Sequence, residues 1–379
     1  MSLRRSRGAW PVAETSVKDK RIISDKYRAS HQDDTSSLAA ALDRGLSGTS
    51  DTVSDYETAL RGYFGNRNAI AISSGGAAIT VALAAVGVKA GDEVVLTPTC
   101  PLCTVYPVMD MGAKPVFVDT REDGFSVDLE DLKRVVTPKT RAIIEIPMWG
   151  MPTQVDELHQ AARKAGIPLI LDLAHSHGST LHGRSLSAYG DLSCYSTHER
   201  KPLATGEGGF ILTDNDDLAK RCRDYSRFGN LNGRDFGLNF KLGALAAALG
   251  TSRLKYLDQQ LEARRRNAER FLSRLEHPSV RPFTQIPGAK HNNYFLTLRL
   301  NFADNRRFID YLDEHGVPSD IKRYGCRCLY DFPAVAQYRR PCPNGERLLN
   351  SMTTIPVHPS LSSDDIDYMV GLVNAYRES

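Results

Sequence analysis

No apolar run in this chain reaches the ~20 residues needed to cross a bilayer, so a membrane span is not expected. The basic start, Met1-Ser2-Leu3-Arg4-Arg5-Ser6-Arg7, is followed by no hydrophobic stretch, which argues against a secretory leader. Charge of one sign is also scarce: a net +3 over 379 residues gives no electrostatic case for nucleic acid. Arg264-Arg265-Arg266 is a basic cluster, and with Glu262 and Glu269 nearby it reads as a solvated helix face. Cysteine is sparse and odd in number, at seven, so a disulfide framework is not expected and a reduced, cytoplasmic setting is. Cys100-Pro101-Leu102-Cys103 and Cys326-Arg327-Cys328 are paired in sequence, but nothing places them together, so they read as loop thiols rather than a zinc or redox site. Internal repeats and low-complexity tracts are absent.

Composition is that of a globular protein, 41% hydrophobic and 25% charged, and the length suggests two domains. Residues 1–35 read as an irregular arm. A short helical pattern runs from Leu38 to Leu46, and a second helix opens at Ser54 or Asp55 and stops at Gly65. From there strands and helices alternate. Short apolar strands are predicted at 69–73, 93–97, 115–119, 140–146, 169–172, 193–196 and 209–213, with helices at 77–86, 104–111, 127–135 and 155–165 between them. This is the pattern of an α/β fold with a mostly parallel central sheet covered by helices on both faces. From Leu242 to Leu275 one long helix is expected. After it the pattern becomes α+β, giving a large domain over 36–255 and a small one over 256–379.

Ligands of such sheets bind at the carboxyl ends of the strands. Three segments fall there: Ser73-Ser74-Gly75-Gly76, Asp172-Leu173-Ala174-His175, and Ser196-Thr197-His198-Glu199-Arg200-Lys201. A lysine that forms a Schiff base and an acid that holds a pyridinium nitrogen are what a pyridoxal 5′-phosphate (PLP) enzyme needs most. Lys201 and Asp172 supply that pair. Ser74, Gly75 and Gly76, at the start of a helix, offer backbone N–H groups to a phosphate. Ser196 adds a hydroxyl, and His175 would cover the cofactor ring or hydrogen-bond its oxygen. No metal is called for.

These residues resemble the DegT-type sugar aminotransferase family, within the fold-type I PLP-dependent enzymes. The resemblance spans roughly residues 40–375. It includes the motifs just named, Gly112-Ala113-Lys114-Pro115-Val116-Phe117-Val118-Asp119, Thr205-Gly206-Glu207-Gly208-Gly209, Gly237-Leu238-Asn239-Phe240-Lys241 and Pro356-Val357-His358-Pro359-Ser360-Leu361. It implies that Lys201 carries the cofactor, Asp172 binds its ring nitrogen and Ser196 its phosphate. It also implies a homodimer in which Asn239 reaches the neighbouring subunit's phosphate. The implied reaction moves an amino group from an amino acid, glutamate or glutamine, through the pyridoxamine 5′-phosphate form to a keto-sugar, often nucleotide-linked, or an aminocyclitol ketone. Four departures stand out: Gly76 where the family usually has threonine, Pro101 or Leu102 where a stacking aromatic is common, Met148-Trp149-Gly150 where a histidine precedes Tyr-Gly, and Tyr324–Tyr330 in place of a Tyr-x-x-Pro-Leu-His stretch. They keep open an elimination or other carbanion reaction, and a non-catalytic PLP- or sugar-binding regulator.

Overall fold

The computed structural model describes residues 21–323 and 325–378. Most of the arm expected over 1–35 lies outside the described residues, as does Tyr324. A seven-stranded sheet forms the centre. Its order is β1 (Asn68–Ile72), β9 (Gly209–Thr213), β8 (Leu192–Ser196), β5 (Leu169–Asp172), β4 (Thr140–Glu145), β2 (Glu93–Leu96) and β3 (Lys114–Phe117). All neighbours pair in parallel except β9, which runs against both β1 and β8.

Side chains alternate between the two faces of each strand, and two hydrophobic clusters divide them accordingly. Ile70, Ile72, Val94, Leu96, Ile170 and Ile211 join one cluster, with the helix Gly75–Ala85. Ala69, Ala71, Val95, Leu169, Leu171 and Phe210 join the other, with the helices Asp51–Phe64 and Val155–Ala165. Burial on both faces is why these strands read as near-continuous apolar runs.

Two smaller sheets complete the strands. One is β10 (Val280–Pro282), β12 (Leu296–Leu300) and β13 (Met352–Ile355); the other is β11 (Ala289–Lys290), β6 (Thr180–Leu181) and β7 (Arg184–Ser185), both antiparallel. The first hydrophobic cluster continues into the C-terminal part through Leu298, Phe308, Ile355 and Val370. The two parts are therefore packed as one core along that face of the central sheet.

Three local expectations are corrected. The helix over 242–275 is two helices, Ala244–Leu254 and Leu257–Ser273, because the chain leaves helical geometry at Tyr256, whose ring stacks on His31. The second helix opens at Asp51 after Ser50 rather than at Ser54 or Asp55, which brings Thr52, Val53 and Tyr56 onto its buried face. The first helix runs over Asp34–Asp43, earlier than the Leu38–Leu46 pattern, because Asp34 is drawn in by Arg253 at 2.9 Å. Gly65 does end the second helix, in the left-handed conformation that glycine adopts at least cost.

Candidate active site

The carboxyl ends of β5 and β8, with the turn after β1, open into a cavity of about 420 Å³. Ser74, Gly75, Gly76, Asp172, His175, Ser196 and Lys201 all line it. Parallel strands make this meeting possible: segments far apart in sequence end on the same edge of the sheet.

Ser74 caps the helix Gly75–Ala85, its Oγ accepting the Ala77 N–H at 3.0 Å. The helix start then abuts the end of β8. A Cβ on Gly75 would lie 2.7 Å from the Ser196 Cβ, so only glycine allows this approach. Ser196 Oγ thereby sits beside the free N–H groups of a helix start, which suits an anion. At Gly76 an added Cβ would meet no atom within 4 Å. The missing threonine thus leaves open space rather than a filled contact.

Lys201 stands in a loop closed on itself. Thr197 N–H donates to Gly208 O at 2.8 Å, Thr205 N–H to Thr197 O at 2.7 Å, and Lys201 N–H to His198 O at 2.8 Å. Its Nζ lies 5.1 Å from the centroid of the Tyr294 ring, and Lys201 makes no ion pair among the described residues. Burial pulls its ammonium below the ordinary lysine value, partly offset by Cys103, Asp172 and Asp320.

Asp172 is buried at the end of β5. It accepts Thr104 Oγ1–H at 2.6 Å and the Ala174 N–H at 3.1 Å. Burial nevertheless raises its pKa, with Thr104, Ala174 and Lys201 opposing. A buried carboxylate pushed toward neutrality gains most from a cationic partner, which a pyridinium would be. The cradle, the buried acid and the unpaired lysine therefore fit PLP.

His175 receives the backbone N–H of Trp149 on Nδ1 at 3.2 Å, which leaves the proton on Nε2. Burial and the positive charge of Lys201 hold it well below the usual histidine pKa, so it is neutral. Its ring lies against Tyr294, with centroids 4.8 Å apart and planes at 30°.

Asn239 is not brought in. It is exposed, its Oδ1 accepts Lys241 Nζ–H at 2.6 Å, and it is not part of the cavity wall of its own chain. Arg264 corrects the solvated-face reading. It is 2% exposed, its guanidinium lying between the rings of Tyr27 and Tyr294 and donating to Tyr294 O at 3.1 Å. The cysteine motifs do approach one another, through Leu329 N–H to Pro98 O at 2.9 Å. Among the described residues no group of three or more His, Cys, Asp or Glu could hold a metal ion. Cys103 lines the cavity, while the other six thiols are buried.

Sequence reasoning missed Thr104, Trp149, Tyr294, Asp320, Arg200 and Arg323 as members of this site. Thr104 is 68 residues from the carboxylate it serves. Tyr294 and Asp320 come from the C-terminal part, with no local motif to mark them. Trp149 was visible only as a departure.

A family model described as the DegT/DnrJ/EryC1/StrS aminotransferase family matches residues 29–374. GDP-perosamine synthase of Caulobacter vibrioides is 31% identical over 335 residues, covering 84% of this chain and 88% of that protein. UDP-2-acetamido-2-deoxy-3-oxo-D-glucuronate aminotransferase of Pseudomonas aeruginosa is 29% identical over 320 residues, covering 83% and 88%. Among solved structures, the sugar aminotransferase CalS13 from Micromonospora echinospora superposes with a TM-score of 0.86 at 26% identity, over 93% of this chain and 100% of that one. The chain is an aminotransferase of the DegT/DnrJ/EryC1/StrS family, whose cofactor is PLP.

Proposed function

We propose that this enzyme transfers an amino group from glutamate or glutamine to a keto-sugar, nucleotide-linked, in a biosynthetic pathway. One observation carries the reading: a single cavity gathers Lys201, Asp172 and the Ser74–Gly76 and Ser196 cradle at one edge of the sheet. The names of relatives support a nucleotide-linked acceptor. They include proteins named for GDP-, UDP- and dTDP-linked sugars, at 28–31% identity.

When bound, PLP supplies an electrophilic carbon and a ring that draws electrons from the carbon losing its proton. The residues do the rest. Ser74, Gly75, Gly76 and Ser196 hold the phosphate. Asp172, steadied by Thr104, holds the ring nitrogen in its charged form. Lys201 anchors the cofactor and, once released, takes up and returns the proton at its Nζ. Its depressed pKa helps, since a base must be neutral to accept a proton. His175, neutral and held by Trp149 and Tyr294, covers the ring.

The active unit is a homodimer in this reading. Phe228, Leu231, Phe236 and Leu238 are 43%, 83%, 76% and 39% exposed on one loop that leads directly into Asn239. Apolar side chains exposed along one loop, next to Asn239, suit a second copy of the chain. The seven free thiols support a reducing, cytoplasmic location.

The test is spectroscopic. The yellow band of the PLP-loaded protein should bleach on adding L-glutamate or L-glutamine and return with a keto acid or keto-sugar. A band unmoved by any amino donor would reject the transamination reading. In Lys201→Ala, borohydride treatment should fix no cofactor to the chain and turnover should vanish; transamination at the wild-type rate would reject the role of Lys201.

A further inference from the structure

We propose that Asp320, oriented by Trp149, determines acceptor specificity by taking hydrogen bonds from hydroxyl groups of the sugar ring. The inference rests on the keto-sugar reading above and names the group that recognises that substrate.

The cofactor would be held by Ser74–Gly76 and Ser196 at its phosphate, by Asp172 at its ring nitrogen and by Lys201 at its aldehyde carbon. The same cavity wall also carries Glu207, Tyr294, Asp320 and Arg323. Of these Asp320 is the buried carboxylate, 6% exposed. It is rigidly mounted. Its N–H donates to Thr354 Oγ1 at 2.6 Å, and the preceding Ser319 hydroxyl bonds to Thr353 and Thr354 of β13 at 3.0 and 3.1 Å.

Its carboxylate is aimed from outside its own segment. Trp149 Nε1–H donates to Asp320 Oδ2 at 2.8 Å, across 171 residues of chain. The same tryptophan gives its backbone N–H to His175 Nδ1. It does so from a left-handed backbone, φ 53°, which is unfavourable for a non-glycine residue of this bulk and is retained where the surroundings enforce it. One residue therefore holds both the histidine and the acid that line the cavity. Asp320 Oδ1 lies 3.3 Å from Arg323 Nη1, but Arg323 is shared with Asp25, which also takes Arg200 at 3.3 Å. A carboxylate has about four acceptor positions. Trp149 and Arg323 engage two, leaving acceptor capacity at the cavity wall.

A carboxylate with spare acceptor positions can take hydrogen bonds from hydroxyls, and a sugar ring presents hydroxyls. Glutamate presents none to it. A buried acceptor also rejects an analogue lacking the hydroxyl, because it is then left unpaired.

The experiment uses PLP-loaded wild type, Asp320→Ala, Asp320→Asn and Trp149→Phe. Bleaching by L-glutamate reads the donor half-reaction. Return of the yellow band with GDP-, UDP- and dTDP-linked keto-hexoses reads the acceptor half-reaction. For a keto-sugar that wild type uses, Asp320→Ala should lower kcat/KM at least about tenfold, mostly through KM. The donor half-reaction should fall far less. Asp320→Asn, which keeps one acceptor oxygen, should recover part of the loss, and Trp149→Phe should fall between. Equal losses in both half-reactions in all three variants would mean a structural role and overturn the proposal. An unchanged acceptor half-reaction in Asp320→Ala would overturn it as well. If wild type bleaches with glutamate but uses none of the keto-sugars, the keto-sugar reading itself fails and the assignment falls with it.

Discussion

At the scale of single residues, the two glycines at the helix start differ in what they allow. Gly75 faces the Ser196 Cβ at 2.7 Å, whereas Gly76 faces open space. Gly75→Ala should therefore push the helix start from β8, destabilise the protein by about 1–3 kcal/mol and weaken PLP retention on dialysis. Gly76→Thr should fold as well as wild type and hold PLP more tightly, since it adds a hydroxyl at a helix start. Equal PLP affinity for the two variants would show that this turn is not the phosphate cradle. Glu145, at the end of β4, offers a second prediction. Burial pushes its carboxyl from 4.5 up to about 7. Below about pH 4 both folded and unfolded chains hold the proton. Between there and 7 the unfolded chain releases it first, so wild type loses stability as pH rises. Glu145→Gln removes that slope. It should gain on wild type by up to roughly 3 kcal/mol between pH 4 and pH 8 in urea titrations; parallel pH curves would contradict the shift.

At the scale of elements, hydrogen bonds at helix starts fix boundaries that periodicity leaves loose. Ser362 caps the last helix, Ser363–Ala375, in a reciprocal box with Asp365. That helix packs on Leu257–Ser273, where Arg270 grips Asp367 with two bonds of 2.8 and 2.7 Å. Ser362→Ala should cost about 1 kcal/mol in chemical denaturation without changing PLP binding, because the cap is remote from the cavity wall. A loss of PLP with unchanged stability would reverse that assignment. The short unbroken run of apolar residues marked the central strands clearly, since both faces of the sheet are buried. It did not mark the break at Tyr256, because no proline or glycine stands there to signal it.

At the scale of the whole molecule, the first hydrophobic cluster ties the C-terminal part to the central sheet and sets the cavity where the two meet. The loop bearing Leu231 and Phe236 lies outside that core. If it is the contact between copies, Phe236→Asp should shift the protein toward monomer in sedimentation, and Asn239→Ala should weaken PLP retention without changing the oligomer. A monomeric wild type that retains PLP would remove both expectations.

The alternation of short apolar strands with helices, and the fixed places of Lys201, Asp172 and the Ser74–Gly76 turn at strand ends, were determined by the sequence itself. They rest on local physics: residue periodicity, turn chemistry and the rule that parallel strands end together. Only the tertiary structure decided what surrounds them. Thr104 meets Asp172, Trp149 meets Asp320, and Arg264 turns inward between two tyrosines. Each of these contacts joins segments distant in the chain. Each depends on side-chain direction and burial, which no local pattern encodes.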